Sequence, residues 1–181
     1  MPYEPPPEIA GMSLAELAAA VAARKLPPVE QWAPAQTGDS RMAIRADGTW
    51  THEGSPIVRP AMVRAFASLL LRDEAGYWLV TPVQKLAVEV ADAAFVATDV
   101  AAKNGALAFR LNTDELVIAG PRHPLVARGS ADTPALYLGV RRGCEARLNR
   151  STYEQLAQLA LEQGDDWSVT SQDTVFSLVP S

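Results

Sequence analysis

Two stretches decide how this chain is organised: Ile57-Val58-Arg59-Pro60-Ala61-Met62, and Leu148-Asn149-Arg150-Ser151-Thr152-Tyr153. Each has an aliphatic residue, an arginine two positions later, a helix-starting residue and a large apolar residue at the third helical position. Farther on, Trp78-Leu79-Val80-Thr81 matches Trp167-Ser168-Val169-Thr170; the arginines are 91 residues apart and the tryptophans 89. A repeat of this period points to a duplicated strand, helix, strand unit. The expected fold is therefore α+β, with two related repeats forming two small packed domains. An interface between similar halves is the first place to seek a ligand.

Around these stretches the pattern reads as follows. Residues 1–40 are expected to form a Pro-rich tail, a helix opened by the capping box Ser13-Leu14-Ala15-Glu16 and running to about Lys25, and a linker after Pro27-Pro28. Residues 41–104 make the first repeat and 105–181 the second. Met42 to Ala46, the turn Asp47-Gly48 and Thr49 to His52 predict a tight hairpin, because Asp-Gly readily adopts positive φ. Pro60 at a first helical position, with Met62, Val63, Phe66, Leu69 and Leu70 on one face, predicts an amphipathic helix of about three turns. Strands are expected at 77–81, 86–90, 94–100, 106–111, 115–118 and 135–141, with residues 120–134 as a loop. A capping box at Ser151-Thr152-Tyr153-Glu154 starts a second helix to about Gln163, and a hairpin of 167–170 with 174–179 ends the chain.

Composition limits the function. The chain has 181 residues, 16 Lys+Arg against 21 Asp+Glu and a net charge of −5, which argues against binding long nucleic acids. Leu, Val, Ile and Phe make up 43 of the 181 residues, enough for a core. No apolar run reaches the roughly 20 residues that span a bilayer, and no signal peptide is visible. The expectation is cytoplasmic, with no membrane association. The single cysteine, Cys144, forms no intrachain disulfide; a lone cysteine of this kind is more often simply buried, and the second reading is that Arg141, Arg142 and Arg147 lower its thiol pKa and favour oxidation. His52, His123 and Cys144 match no metal spacing, and no cofactor is expected.

Asp47-Gly48-Thr49-Trp50-Thr51-His52-Glu53-Gly54-Ser55-Pro56-Ile57, Arg59 and Tyr77-Trp78-Leu79-Val80-Thr81-Pro82 resemble the opening motifs of the DUF1285 family of bacterial proteins. Asp92 with Phe95, His123-Pro124 and the run from Val140-Arg141 to Arg150 are similar to its later motifs. The resemblance runs from about Trp32 to the C-terminus. It implies a duplicated α+β core, a C-terminal half like a pleckstrin-homology barrel, and a small-ligand site between the halves for a nucleotide-like molecule in signalling. No enzymatic activity is implied. Gln84 stands where an acid is expected, Ala91-Asp92-Ala93-Ala94-Phe95 replaces Glu-Asp-Ala-Pro-Phe, and Asp173 stands where a glycine is usual.

The arginine-rich run contains Arg141, Arg142, Arg147 and Arg150 against Glu145. Guanidinium forks suit carboxylate or phosphate recognition. Trp50 and His52 share one strand face, placing an aromatic plane beside an imidazole. The candidate ligand-binding residues are therefore Trp50, His52, Arg59, Phe95, His123, Arg141, Arg147 and Arg150, for a small anionic, nucleotide-like molecule and with no catalytic residue. A protein-interaction module is the alternative; an enzyme using His52 or His123 with Asp47 or Asp92 is the third reading.

Overall fold

The computed structural model describes residues 13–16, 19, 26–165 and 167–181. The expected Pro-rich tail and most of the Ala-rich helix lie outside the described residues. The start of that helix is seen: Ser13 Oγ accepts the Glu16 backbone N–H at 3.2 Å, the first bond of a capping box, while the Glu16 carboxylate reaches back to accept the Ser13 hydroxyl.

The first sheet contains β1 (Gln36–Ile44), β2 (Trp50–His52), β3 (Ser55–Pro56), β4 (Leu70–Asp73), β5 (Gly76–Val80) and β6 (Gln84–Val90), with helix α1 (Pro60–Ala67) between β3 and β4. The second contains β7 (Phe95–Lys103), β8 (Ala106–Leu111), β9 (Leu116–Ile118), β10 (Leu125–Gly129), β11 (Pro134–Arg141) and β12 (Cys144–Leu148). Helix α2 (Arg150–Glu162) and the hairpin β13 (Ser168–Ser171) and β14 (Thr174–Ser177) follow.

The spatial orders are β3-β2-β1-β6-β5-β4 and, from its other edge, β9-β8-β7-β12-β11-β10. Each sheet is therefore two three-stranded meanders joined at the centre by its first and last strands. Those central pairs, β1 with β6 and β7 with β12, are parallel. The domains are thus similar and rich in sheet. Their likeness does not run through the helices, because α1 interrupts its sheet while α2 follows the completed one, so the 89- to 91-residue offset does not superpose equivalent strands.

Several boundaries differ from expectation for identifiable reasons. The change of sheet falls between Val90 and Phe95, whereas Asn104-Gly105 is a hairpin turn inside the second sheet, with Asn104 at φ 46. The expected linker before residue 41 is partly strand, since residues 36–39 pair in parallel with 84–87. A bulge at Asp39–Met42 separates the two stretches of pairing, with Arg41 at φ 59 and Ser40 Oγ donating to Ala87 O at 2.6 Å. Helix α1 is only two turns, because Leu70 leaves the helix for a strand opposite Leu79. The expected loop at 120–134 contains the edge strand β10. The true N-cap of α2 is Asn149, whose Oδ1 accepts the Thr152 N–H at 2.9 Å, so Ser151 lies inside the helix.

One apolar core runs through both halves. Ile44, Trp50, Leu70 and Leu79 from the first belong to the same buried cluster as Phe95, Phe109, Leu138, Leu148 and Leu156 from the second. Alternation on β12 shows how this arises: Cys144, Ala146 and Leu148 are buried while Glu145 and Arg147 point outward. The terminal hairpin is tied to the second sheet by Ser171, whose hydroxyl donates to Ala119 O at 2.7 Å and accepts the Leu107 N–H at 2.8 Å. Among the described residues, no helix is long and apolar enough to cross a membrane.

Candidate functional site

The halves meet at two built contacts. At the first, the β1–β2 turn approaches the second sheet. Asp47 Oδ1 accepts the Thr49 N–H at 2.9 Å, a bond that holds the Asp47 carboxyl below its ordinary range. Gly48 sits at φ 90, and a side chain there would begin 2.7 Å from Asn112 Nδ2. Only glycine fits. Asn112 then bridges the halves, donating to Gly48 O at 3.3 Å and accepting the Val96 N–H at 2.9 Å.

At the second contact, the β11–β12 turn closes over the C-terminus of α1. Arg141 makes a two-pronged ion pair with buried Glu115 and donates to Ala67 O at 3.1 Å. Arg142 donates to Ser68 O at 2.7 Å, to Pro27 O and to the Glu30 carboxylate. Two guanidiniums from the second half thus satisfy the last carbonyls of a helix in the first, where positive charge is favoured. The backbone adds Arg72 N–H to Arg142 O at 2.9 Å.

Beside the first contact lies a groove of about 880 Å³, with Ala46 and Asp47 on one side and β7, β11, β12 and the start of α2 on the other. Leu136, Leu148 and Val96 supply apolar surface. Asn112, Asn149 and Tyr153 add polar and aromatic groups, and Arg147 and Arg150 the cations. Arg147 lies 2.8 Å from Asp92, which also accepts the Tyr137 hydroxyl at 2.7 Å. Desolvation pushes the Asp92 carboxyl upward, but these two hydrogen bonds outweigh it and its pKa lies below the ordinary value. Arg150, at the first position of α2, bonds Glu154 at 3.1 Å, and its side chain is 92% exposed. The dipole of the α2 N-terminus adds partial positive charge there.

The structure brings only Arg147 and Arg150 of the eight candidates into this groove. Arg141 is committed to Glu115, and its guanidinium lies 5.2 Å from the ring of buried Phe95, so both are held in the seam. Trp50 is core, stacked on Phe66 with ring centroids 6.3 Å apart. His52 and Arg59 line a separate shallow cleft with Met62 and Phe66. His123 Nδ1 lies 3.0 Å from the Gly139 carbonyl, which can only accept, so the proton sits on that nitrogen and the ring fixes the loop.

The cleft that His52 lines contains neither Asp47 nor Asp92, and the groove that Asp47 lines contains no histidine. The described residues contain no group of three or more His, Cys, Asp or Glu side chains fit to hold a metal. Cys144 is 2% exposed, and burial raises its thiol to about 11 despite the opposing pull of Arg141, Arg72 and Arg142. Burial, the first reading of a lone cysteine, thus outweighs the arginine neighbours that would lower the thiol pKa.

Sequence reasoning passed over Asn112, Asn149 and Tyr153. Asn149 was readable: an asparagine after an apolar strand and three residues before a helical threonine is an N-cap pattern.

Two family models cover most of the chain. The N-terminal domain of DUF1285, a domain of unknown function, matches residues 27–93, and the DUF1285 C-terminal domain, of a protein of unknown function, matches residues 94–178. Their junction coincides with the change of sheet. A crystal structure of a DUF1285 family protein from Silicibacter pomeroyi DSS-3 is similar at 39% identity and TM-score 0.76, covering 91% of this chain and 94% of that one. Another, from Shewanella baltica OS155, is similar at 27% identity and TM-score 0.54, covering 65% and 90%. No curated protein matches.

Proposed function

This chain belongs to the DUF1285 family, whose function is unknown, and from that premise we propose that it binds a small anionic, nucleotide-like molecule in the groove between its halves, in a regulatory or signalling role and without catalysis. One observation carries the reading: Arg147, Arg150 and the α2 N-terminus stand at a groove of about 880 Å³ that also presents Tyr153 and apolar side chains. The charged part of the ligand would meet the guanidiniums and its ring the Tyr153 face.

The acids in the groove, Asp47 and Glu154, bear on this proposal. The Arg150–Glu154 pair is exposed on both sides and spaced i,i+4, an arrangement worth only a few tenths of a kcal/mol. A phosphate would displace Glu154 at little cost. A thermal-shift screen of nucleotides and related anions tests the proposal, since a ligand at 100 times its Kd stabilises by about 2.7 kcal/mol. Arg150→Ala should abolish the shift; flat melting curves at millimolar ligand would sink the proposal.

The alternative, a protein-interaction module, is favoured by a different observation. Val58 is 83% exposed and Met62 42%, beside the apolar cleft of Ile57 and Phe66. A pleckstrin-homology-like plan for the second half would suit either reading. Val58→Asp would abolish partner capture if this cleft is the functional surface, and leave nucleotide-induced stabilisation untouched if the groove is.

A further inference from the structure

At the opposite contact between the halves, an open depression of about 440 Å³ is lined by five arginines, Arg72, Arg122, Arg128, Arg141 and Arg142, and by Glu145. Two of the five are spent. Arg141 is neutralised by Glu115 and Arg142 by Glu30, with side-chain exposures of 13% and 4%. The other three come from β4, the loop before β10 and β10 itself. Arg128 grips Glu145 with two bonds of 2.9 Å, and Arg72 reaches the same carboxylate at 3.6 Å. Arg122 is exposed and has no ion pair among the described residues. Three guanidiniums therefore face one carboxylate, an excess of two positive charges in a chain whose net charge is −5.

The geometry also holds two of the arginines ready. The Arg72 guanidinium lies 5.2 Å from the Tyr77 ring and that of Arg128 4.5 Å from the Tyr137 ring. Stacking of this kind fixes the plane of a guanidinium while leaving its N–H edge free to bond. Arg72 and Arg128 retain side-chain exposures of 45% and 48%. The depression has little apolar surface on which a ring or acyl chain could settle, so it suits a compact charged group.

From these observations we infer that the depression is a binding site for a phosphate dianion, free or as the terminal group of a phosphate monoester. Glu145, paired with Arg128 and Arg72, occupies the place that the dianion takes on binding. On binding, the phosphate oxygens take over the forks of Arg72 and Arg128 and recruit Arg122. Because Arg72 belongs to the first half and Arg122 and Arg128 to the second, the bound anion ties the halves together. This site is separate from the groove.

The test uses the full chain, 15N-labelled, titrated with inorganic phosphate and, in parallel, with sodium chloride at matched ionic strength. The expected result is saturable movement of the Arg128, Gly143 and Glu145 amide signals with phosphate and none with chloride. Arg122→Ala, at an exposed position, should weaken binding at least fivefold. Glu145→Gln should tighten it about fivefold, because it removes the competing carboxylate.

Identical responses to chloride and phosphate, unchanged affinity in Arg122→Ala, or loss of binding in Glu145→Gln at unchanged melting temperature would each overturn the inference. O-phosphoserine separates the sources: tighter binding than inorganic phosphate supports a phosphorylated side chain, equal binding a free phosphate. If adenosine monophosphate moves Asn149 and Tyr153 while no phosphate compound moves Arg128, the groove stands and this second site falls.

Discussion

Arg141 and Arg142 are neighbours along the chain, yet their acids lie 26 and 112 residues away. Spacing along a strand shows which cations cluster, but not which carboxylates fold against them. The same segment therefore contains two arginines that are structural and two, Arg147 and Arg150, that line a groove. Removing one partner of a buried, hydrogen-bonded ion pair leaves an uncompensated charge, at about 3–5 kcal/mol. Arg141→Ala should lower the stability to urea by that amount, and Arg150→Ala should leave the midpoint unchanged, since its side chain is 92% exposed. Cys144 gives a prediction with a pH sign. Its folded thiol titrates at about 11, above the value near 8.5 of an exposed thiol. In the interval between, the unfolded chain loses a proton that the folded chain keeps, so stability is intact below about pH 8.5 and falls as pH rises toward 11. Iodoacetamide at pH 8 should leave Cys144 unmodified until urea is added.

At the scale of elements, the turns decide most. The Asp47-Gly48 hairpin is where its dipeptide predicts, with Ile44 opposite Trp50. What the dipeptide cannot show is that the turn docks on Asn112, because that contact spans 64 residues. Gly48→Ala combines a strained φ of 90 with a Cβ 2.7 Å from Asn112 Nδ2; it should cost about 1–3 kcal/mol and shift the Val96 amide signal. Asn149→Ala removes the cap of α2 and should cost about 1 kcal/mol by thermal melting. Asp173, where the resemblance calls for glycine, stands at φ 61 in the β13–β14 turn. Glycine suits that conformation and aspartate tolerates it. Periodicity missed β3, β4, β10 and β12. The first three are at sheet edges, and β10 sits in a stretch where Gly, Pro and Ser outweigh the apolar alternation on which such readings depend; β12 is central, but its outward Glu145 and Arg147 made the segment read as a charged run.

For the whole molecule, the α+β class and the two-domain plan were legible, whereas the boundary and the repeat were misplaced. Helices dominate a sequence comparison by their apolar periodicity. Here the common plan lies in strand order, which short strands with few large side chains record poorly. The continuous core and the two arginine contacts imply that the halves unfold together. Urea unfolding followed by far-UV circular dichroism and by tryptophan fluorescence should give coincident transitions. In Arg142→Ala, hydrogen exchange at Ser68 and Arg72 should quicken before that of the β7–β8 pair.

The pairing of first with last strands has a further consequence, for the order in which the chain matures. The centre of the first sheet joins residues 36–44 to 84–90, and that of the second joins 95–97 to 146–148. During synthesis β1 waits with one bare edge until residue 90 has left the ribosome, and β7 waits likewise for β12. Neither half can therefore be shortened from its far end without exposing its own central strand. Pairings of such long sequence separation also make a slow folder, dependent on loop closures that come late.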